Sequence, residues 1–281
     1  VTTQEPPAAA VASGKPLYIL NSGGTAPEFA ITDTAAYLPM KFDATLLATK
    51  IDFATAQQQV LCSVDGCSHV DAGCPAFMAA DDDALSHYYT GGLVAAGDRL
   101  YWFINGGASP VNVRVDVSAL DGSNRHTIVE NSSIFQLDCT MSMCFTDGDA
   151  LYLATVASSL VRLDDTGLTS VFPLNDGHPT PENPLYTQDN TPRCTILGCW
   201  QDMAVFACTP SLSGSGTGLI GVHADGSVTD LGSYSIDFGS PTDWISTLHD
   251  GKLYYVPGSG DQAETIEVTD LAAKTTKTLP L

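Results

Sequence analysis

Long apolar runs are missing from this chain. No stretch approaches the roughly twenty consecutive apolar residues that a membrane-spanning helix requires. A sustained apolar period of 3.6 residues is missing as well, which predicts little helix. Basic residues are few: 11 Lys and Arg stand against 32 Asp and Glu, for a net charge of −21. Such a surface repels phosphate backbones and anionic headgroups, which argues against nucleic acid and bare membrane surfaces as partners. The sequence also has no Gly-x-Ser-x-Gly elbow, no phosphate-binding glycine loop ending in Lys-Ser or Lys-Thr, and no His-Glu-x-x-His helix. Gly214-Ser215-Gly216-Thr217-Gly218 falls between two expected strands with no helix behind it, and reads as a hairpin loop. The six histidines, at 69, 87, 126, 178, 223 and 249, are scattered, and none is spaced to pair with a Ser or Cys nucleophile. His223 and His249 are expected at strand ends, exposed.

What the chain does have is a repeat. A polar turn rich in Asp and Gly, followed by a short apolar and aromatic run, occurs at Gly97-Asp98-Arg99-Leu100-Tyr101-Trp102, Asp147-Gly148-Asp149-Ala150-Leu151-Tyr152, Gln201-Asp202-Met203-Ala204-Val205-Phe206 and Asp250-Gly251-Lys252-Leu253-Tyr254-Tyr255. The intervals are 51, 54 and 48 residues, in the range of stacked supersecondary units. Residues 99–104 alternate Leu100, Trp102 and Ile104 with Tyr101 and Phe103, so both faces of this strand are apolar and both must be covered. With the turn signals that follow, the unit reads as four antiparallel strands in about forty residues, a propeller blade. Segments 36–42, 45–53 and 58–62 supply a less regular first blade, and 17–20 an extra strand that could close the ring against the C-terminal end. The expectation is an all-β, β-propeller fold of four-stranded antiparallel blades, five in number, or six if the first hundred residues hold another. Residues 1–14 read as a flexible tether remaining after an export signal is removed, and 15–281 as one propeller domain.

The stretch from Leu100-Tyr101-Trp102 to Leu120-Asp121-Gly122-Ser123-Asn124-Arg125 resembles one blade of the Tyr-Trp-Thr-Asp propellers of lipoprotein-receptor ectodomains, with Phe103-Ile104 where that family has Thr-Asp. Residues Leu61-Cys62-Ser63-Val64-Asp65-Gly66-Cys67-Ser68-His69, followed by Cys74-Pro75-Ala76-Phe77, resemble the end of the first blade in uncharacterised bacterial cell-envelope propeller lipoproteins. That likeness implies an extracellular location at a bacterial envelope and a binding or scaffold role, and it transfers no catalytic residue. Membrane contact is then expected only through an N-terminal anchor that lies outside this sequence.

Eight cysteines fit an oxidising compartment. Cys62, Cys67, His69 and Cys74 place three thiols and an imidazole within thirteen residues, enough for a tetrahedral zinc site. The Cys pairs are spaced more widely than two intervening residues, and three thiols on a metal would leave an odd five, so disulfides are weighed above metal, and free thiols, as in an anaerobic or cytosolic setting, come third. Cys139 and Cys144 recur 55 residues on as Cys194 and Cys199, which suggests bridges between adjacent blades. A local bridge from Cys199 to Cys208, across a turn at Met203 and Ala204, competes with that arrangement. The connectivity stays open.

Most carboxylates sit in Asp-Gly turns and fold onto their own backbone, so no acidic catalytic pair can be selected by spacing. Asp81-Asp82-Asp83 offers hard oxygens for calcium without the ligand spacing of a calcium loop. No cofactor is expected. The long connections 75–91, 173–193 and 232–243 should gather at blade ends, and the first two carry Tyr88, Tyr89 and Tyr186, with Trp244 just beyond the third. Flat aromatic faces suit sugars or peptides. The expected function is a non-catalytic module binding a glycan, peptide or protein. The alternatives are a carbohydrate-active hydrolase with paired Asp or Glu in an axial pocket, and a purely structural scaffold.

Overall fold

The computed structural model describes residues 14–21, 29–43, 45–80, 92–105, 113–132, 141–155, 160–172, 193–209, 217–234, 246–257 and 264–281. Among the described residues there are strands and no helix. β1 (Tyr18–Asn21) comes first in the chain. It is followed by β2 (Ala30–Ile31), β3 (Ala35–Phe42), β4 (Thr45–Asp52), β5 (Gln58–Val60) and β6 (Phe77–Ala80), which with the exception of β1 form the first sheet. The second sheet is β7 (Leu93–Ala96), β8 (Arg99–Asn105), β9 (Val113–Ala119) and β10 (His126–Ser132). In the third, β11 (Met141–Thr146), β12 (Leu151–Thr155), β13 (Leu160–Asp164) and β14 (Gly167–Phe172) follow one another, with β1 added beside β11. The fourth comprises β15 (Arg193–Trp200), β16 (Met203–Thr209), β17 (Thr217–His223) and β18 (Val228–Tyr234). The fifth comprises β19 (Ser246–His249), β20 (Lys252–Tyr255), β21 (Thr265–Asp270) and β22 (Thr275–Pro280). Each contains an antiparallel meander of four neighbouring strands, with β6 added beside β4 in the first sheet and β1 beside β11 in the third, and the fold class is the expected one: all-β, a β-propeller of four-stranded blades.

The chain divides into two compact units, Ile19–Leu174 with the first three sheets, and Val1–Tyr18 with Asn175–Leu281, which holds the fourth and fifth. In the first unit, β8 shows why the blade repeats. Leu100, Trp102 and Ile104 pack into one core with Tyr37, Leu47, Ala48, Met78 and Leu93 of the first two sheets. From the opposite face, Tyr101 and Phe103 enter a second core with Leu151, Leu153, Val161 and Leu163 of the third sheet. A strand apolar on both faces is thus covered on both by its neighbours, as the alternation requires. The Tyr101 hydroxyl donates to the Leu163 carbonyl at 3.3 Å, so the ring's one polar atom is satisfied inside the core. In the second unit, Leu197, Val205, Ala207 and Leu219 of the fourth sheet pack against Leu248, Leu253, Tyr255 and Leu271.

The recurring turn has a backbone cause. Gly97, Gly148, Gln201, Asp250 and Gly251 all have positive φ, of 60, 90, 57, 46 and 68°, a region that Gly enters freely and other residues enter at a cost. At Gly97 a Cβ would overlap the Gly148 backbone carbonyl of the neighbouring sheet, whereas at Gly148 a Cβ would meet nothing within 4 Å. Gly97→Ala is therefore expected to cost roughly 2–3 kcal/mol, strain plus overlap, and Gly148→Ala about 1 kcal/mol from strain alone. Urea unfolding of the two variants measures the difference.

One expectation is corrected. Residues 17–20 do not pair with the C-terminal end: β1 lies beside β11, at the edge of the third sheet. That edge presents a row of backbone N–H and C=O groups, which β1 satisfies. Of the proposed tether, residues 1–13 lie outside the described residues.

Candidate metal centre

β5 and β6 share one edge of β4: β5 pairs with Thr49–Ile51 and β6 with Thr45–Leu47. Residues 61–76 are the excursion between them, and they carry the Cys and His cluster. The backbone of this excursion is held at both ends and within. Leu61 N–H donates to Ala48 O at 2.9 Å, and Ala48 N–H to Ala76 O at 2.8 Å. Cys67 N–H donates to Val64 O across a turn in which Gly66 has φ 69°. Asp71 caps the Gly73 N–H at 2.9 Å, Cys74 N–H donates to Asp71 O, and Phe77 N–H to Cys74 O. His69 itself is left-handed, with φ 58°, and its carbonyl accepts from the Thr45 hydroxyl at 3.4 Å.

These turns bring four ligand atoms together. One ligand atom each from Cys62, Cys67, His69 and Cys74 lies within 4.8 Å of all the others, and His69 Nδ1 is 3.3 Å from Cys74 Sγ. Cys74 is buried, while Cys62 and Cys67 are half-buried against the same core as Leu61 and Ala76. A backbone hydrogen bond from His69 holds the Cys67 thiol below its ordinary value. Burial pushes the Cys74 thiol up to about 12. On the Cys74 side, the Arg125 guanidinium donates to the carbonyls of Pro75 at 2.7 Å and Phe77 at 2.8 Å. It also lies 4.1 Å above the Trp102 ring and pairs with the buried Asp116 carboxylate at 2.7 Å. Nothing in the sequence spacing pointed to Arg125, which stands 50 residues beyond Pro75.

The other cysteines sort differently from the expected bridges. Cys62, Cys67, Cys74 and Cys144 are thiols, and burial pushes Cys144 up to about 12. Cys208 is disulfide-bonded, and Cys194 stands opposite it in the β15–β16 register. A Cys199–Cys208 bridge is not formed. The two-residue turn is Gln201-Asp202, which sets Cys199 against Ala204, and the Cys199 thiol donates to the Leu17 carbonyl at 3.2 Å. Cys144 and Cys199, the repeated pair, are likewise not bridged to each other. Cys139 lies outside the described residues.

A second polar constellation occupies the fourth sheet. His223 is mostly buried rather than exposed, with Nδ1 3.0 Å from Asp202 Oδ2 and Nε2 2.8 Å from Thr229 Oγ1. Asp202 Oδ2 also accepts the Gly14 N–H at 2.8 Å, and Leu17 N–H donates to Gln201 O. The row therefore ties β18, β17, the β15–β16 turn and segment 14–17 together. Sequence reasoning missed it because Asp202, His223 and Thr229 meet only through strand register. His249 is exposed, as expected. The aromatic candidates Tyr88, Tyr89, Tyr186 and Trp244, the run Asp81-Asp82-Asp83 and residues 214–216 of the glycine loop lie outside the described residues.

No protein-family model matches the chain, and neither does any curated protein. Solved structures similar to it are β-propeller proteins. An oligogalacturonate lyase from Vibrio parahaemolyticus is 11% identical with a TM-score of 0.49, covering 90% of this chain and 64% of its own. An oligogalacturonate lyase in complex with manganese is also 11% identical with a TM-score of 0.49, covering 89% and 63%. TolB from Acinetobacter baumannii is 11% identical with a TM-score of 0.36, covering 95% and 55%. The chain thus spans less than two thirds of the length of each of these proteins.

Proposed function

We propose that this protein is a non-catalytic binding module, displayed outside the cell at a bacterial envelope, that recognises a glycan, peptide or protein through the loops at its blade ends. The observation that carries this reading is the state of the turn carboxylates. Asp52 accepts from the Thr55 and Ala54 N–H groups and the Thr55 hydroxyl. Asp121 accepts from Ser123, Asp164 from Thr166, and Asp225 from Ser227. These hydrogen bonds hold all four carboxyls below their ordinary value of 3.8. A glycoside hydrolase needs the opposite for one of its pair, a carboxyl raised so that it stays protonated and can donate to the leaving oxygen. A depressed carboxylate bound to its own turn is a structural group and a fixed negative charge. The disulfide at Cys208 supports an oxidising compartment.

The functional test is a glycan and peptide array probed with the purified protein, with captured oligosaccharides recovered and weighed by mass spectrometry. Retention of an intact ligand is expected; cleaved product would replace this reading with the hydrolase. The same carboxyls set a pH dependence. Their folded values lie below the unfolded one, so their stabilisation is complete above the unfolded value and is lost as pH falls through the folded values, below 3.8. Urea midpoints measured from pH 7 downward should lose this contribution only below about pH 4.

A further inference from the structure

We infer that Cys62, Cys67, His69 and Cys74 form a structural zinc site that clamps the 61–76 excursion to the first sheet. Three sulfurs and one imidazole nitrogen are a soft to borderline donor set. It suits zinc, and it offers none of the hard oxygens that calcium or magnesium would need. The geometry is close to closed before any ion is added. Tetrahedral zinc with Zn–S near 2.3 Å brings sulfurs to about 3.7 Å apart, and here the four ligand atoms already lie within 4.8 Å of one another. Four protein ligands complete the tetrahedron and leave no position for water or substrate, which is the signature of a structural rather than a catalytic site.

The surroundings fit this assignment. Turns at both ends of the excursion fix the ligand-bearing backbone to β4 through Ala48. The left-handed backbone at His69 belongs to the turn that brings its Nδ1 to the sulfurs. Binding exchanges three thiol protons, released to buffer, for one Zn2+, so the filled site has a net charge of −1. The Arg125 guanidinium, seated on the carbonyls of Pro75 and Phe77, supplies a positive charge on the Cys74 side. Parity no longer argues against the metal. That objection assumed that every remaining cysteine is bridged, whereas Cys144 is a thiol and the Cys199 thiol is hydrogen-bonded to Leu17. The inference is independent of the binding function, since it would hold for an enzyme or a scaffold alike.

The test uses the full chain purified with reductant and without chelator. Elemental analysis should find about one zinc per chain. After chelation, titration with cobalt alone should give the strong visible ligand-field bands of a tetrahedral ion together with a thiolate charge-transfer band. Cys67→Ser should reduce the charge-transfer intensity or weaken metal binding at least tenfold, and His69→Ala should shift the visible bands. Cys144→Ser, in the second core, should change nothing. Because the cobalt spectrum is read on the unmodified chain, failure of a variant to fold leaves the test intact. A folded chain that takes up neither zinc nor cobalt would overturn the inference. Peptide mapping that finds a disulfide among Cys62, Cys67 and Cys74 persisting in the presence of zinc would do so equally.

Discussion

Replacing Arg125 with alanine is expected to destabilise the Ile19–Leu174 unit by roughly 3–5 kcal/mol, the range for removing one partner of a buried ion pair. Asp116 is 4% exposed, and Arg125 reaches it through two guanidinium nitrogens, Nε at 2.9 Å and Nη2 at 2.7 Å. In the variant, Asp116 would keep the half-exposed Arg114 at 3.1 Å and the Thr127 hydroxyl at 2.8 Å. It would lose the fork that neutralises it inside the blade. The carbonyls of Pro75 and Phe77 would lose their guanidinium donor together. Arg125→Lys should recover only part of the loss, since an ammonium cannot serve a carboxylate and two carbonyls from one planar group. Hydrogen exchange read by mass spectrometry places the effect: peptides covering 61–80 and 113–132 should lose protection together. Loss confined to 113–132 would show that Arg125 does not hold the excursion.

Trp102→Ala is expected to cost a similar amount, roughly 3–5 kcal/mol. Trp102 is fully buried, fills the core between the first two sheets, donates from Nε1 to Ser118 Oγ at 2.8 Å, and carries Arg125 on its ring face. Trp102→Phe keeps most of the apolar volume and loses the indole hydrogen bond, so it should cost about 1–2 kcal/mol. Because Trp102 and Arg125 are in contact, their effects should not add. The double alanine variant should fall short of the sum by about 0.5–3 kcal/mol, the usual coupling between touching residues. Additivity would mean that the stacking contributes nothing and that the two residues stabilise separate parts of the unit.

Local pattern made the blades readable. The apolar alternation of 99–104 and the Asp-Gly turns reflect side-chain direction and positive φ, which are properties of short segments, and β8 and its turns lie where they imply. The first sheet was read with β3, β4 and β5 nearly in place, but β6 was hidden because it returns to β4 after a sixteen-residue excursion whose shape depends on turns rather than period. The pairing of β1 with β11 was misread for a related reason: a short strand shows no preference for a distant edge until the edges exist. At the site, the four metal-ligand residues were visible by residue type. Their convergence was not, because it depends on left-handed His69 and on the anchoring of 61–76 to Ala48. The Asp202, His223 and Thr229 row arises from the register of successive hairpins, and the Arg125 contacts from packing of residues some fifty positions apart, and no motif announces either.

The central functional claim, that the turn carboxylates Asp52, Asp121, Asp164 and Asp225 serve structure and charge rather than acid chemistry, is tested most directly by a 13C NMR titration of every Asp and Glu carboxyl in the chain. The account predicts midpoints below 3.8 for Asp52, Asp121, Asp164 and Asp225. A carboxyl with a midpoint around 6, coupled to a second one that stays ionised, would be the acid and nucleophile of a hydrolase and would contradict it.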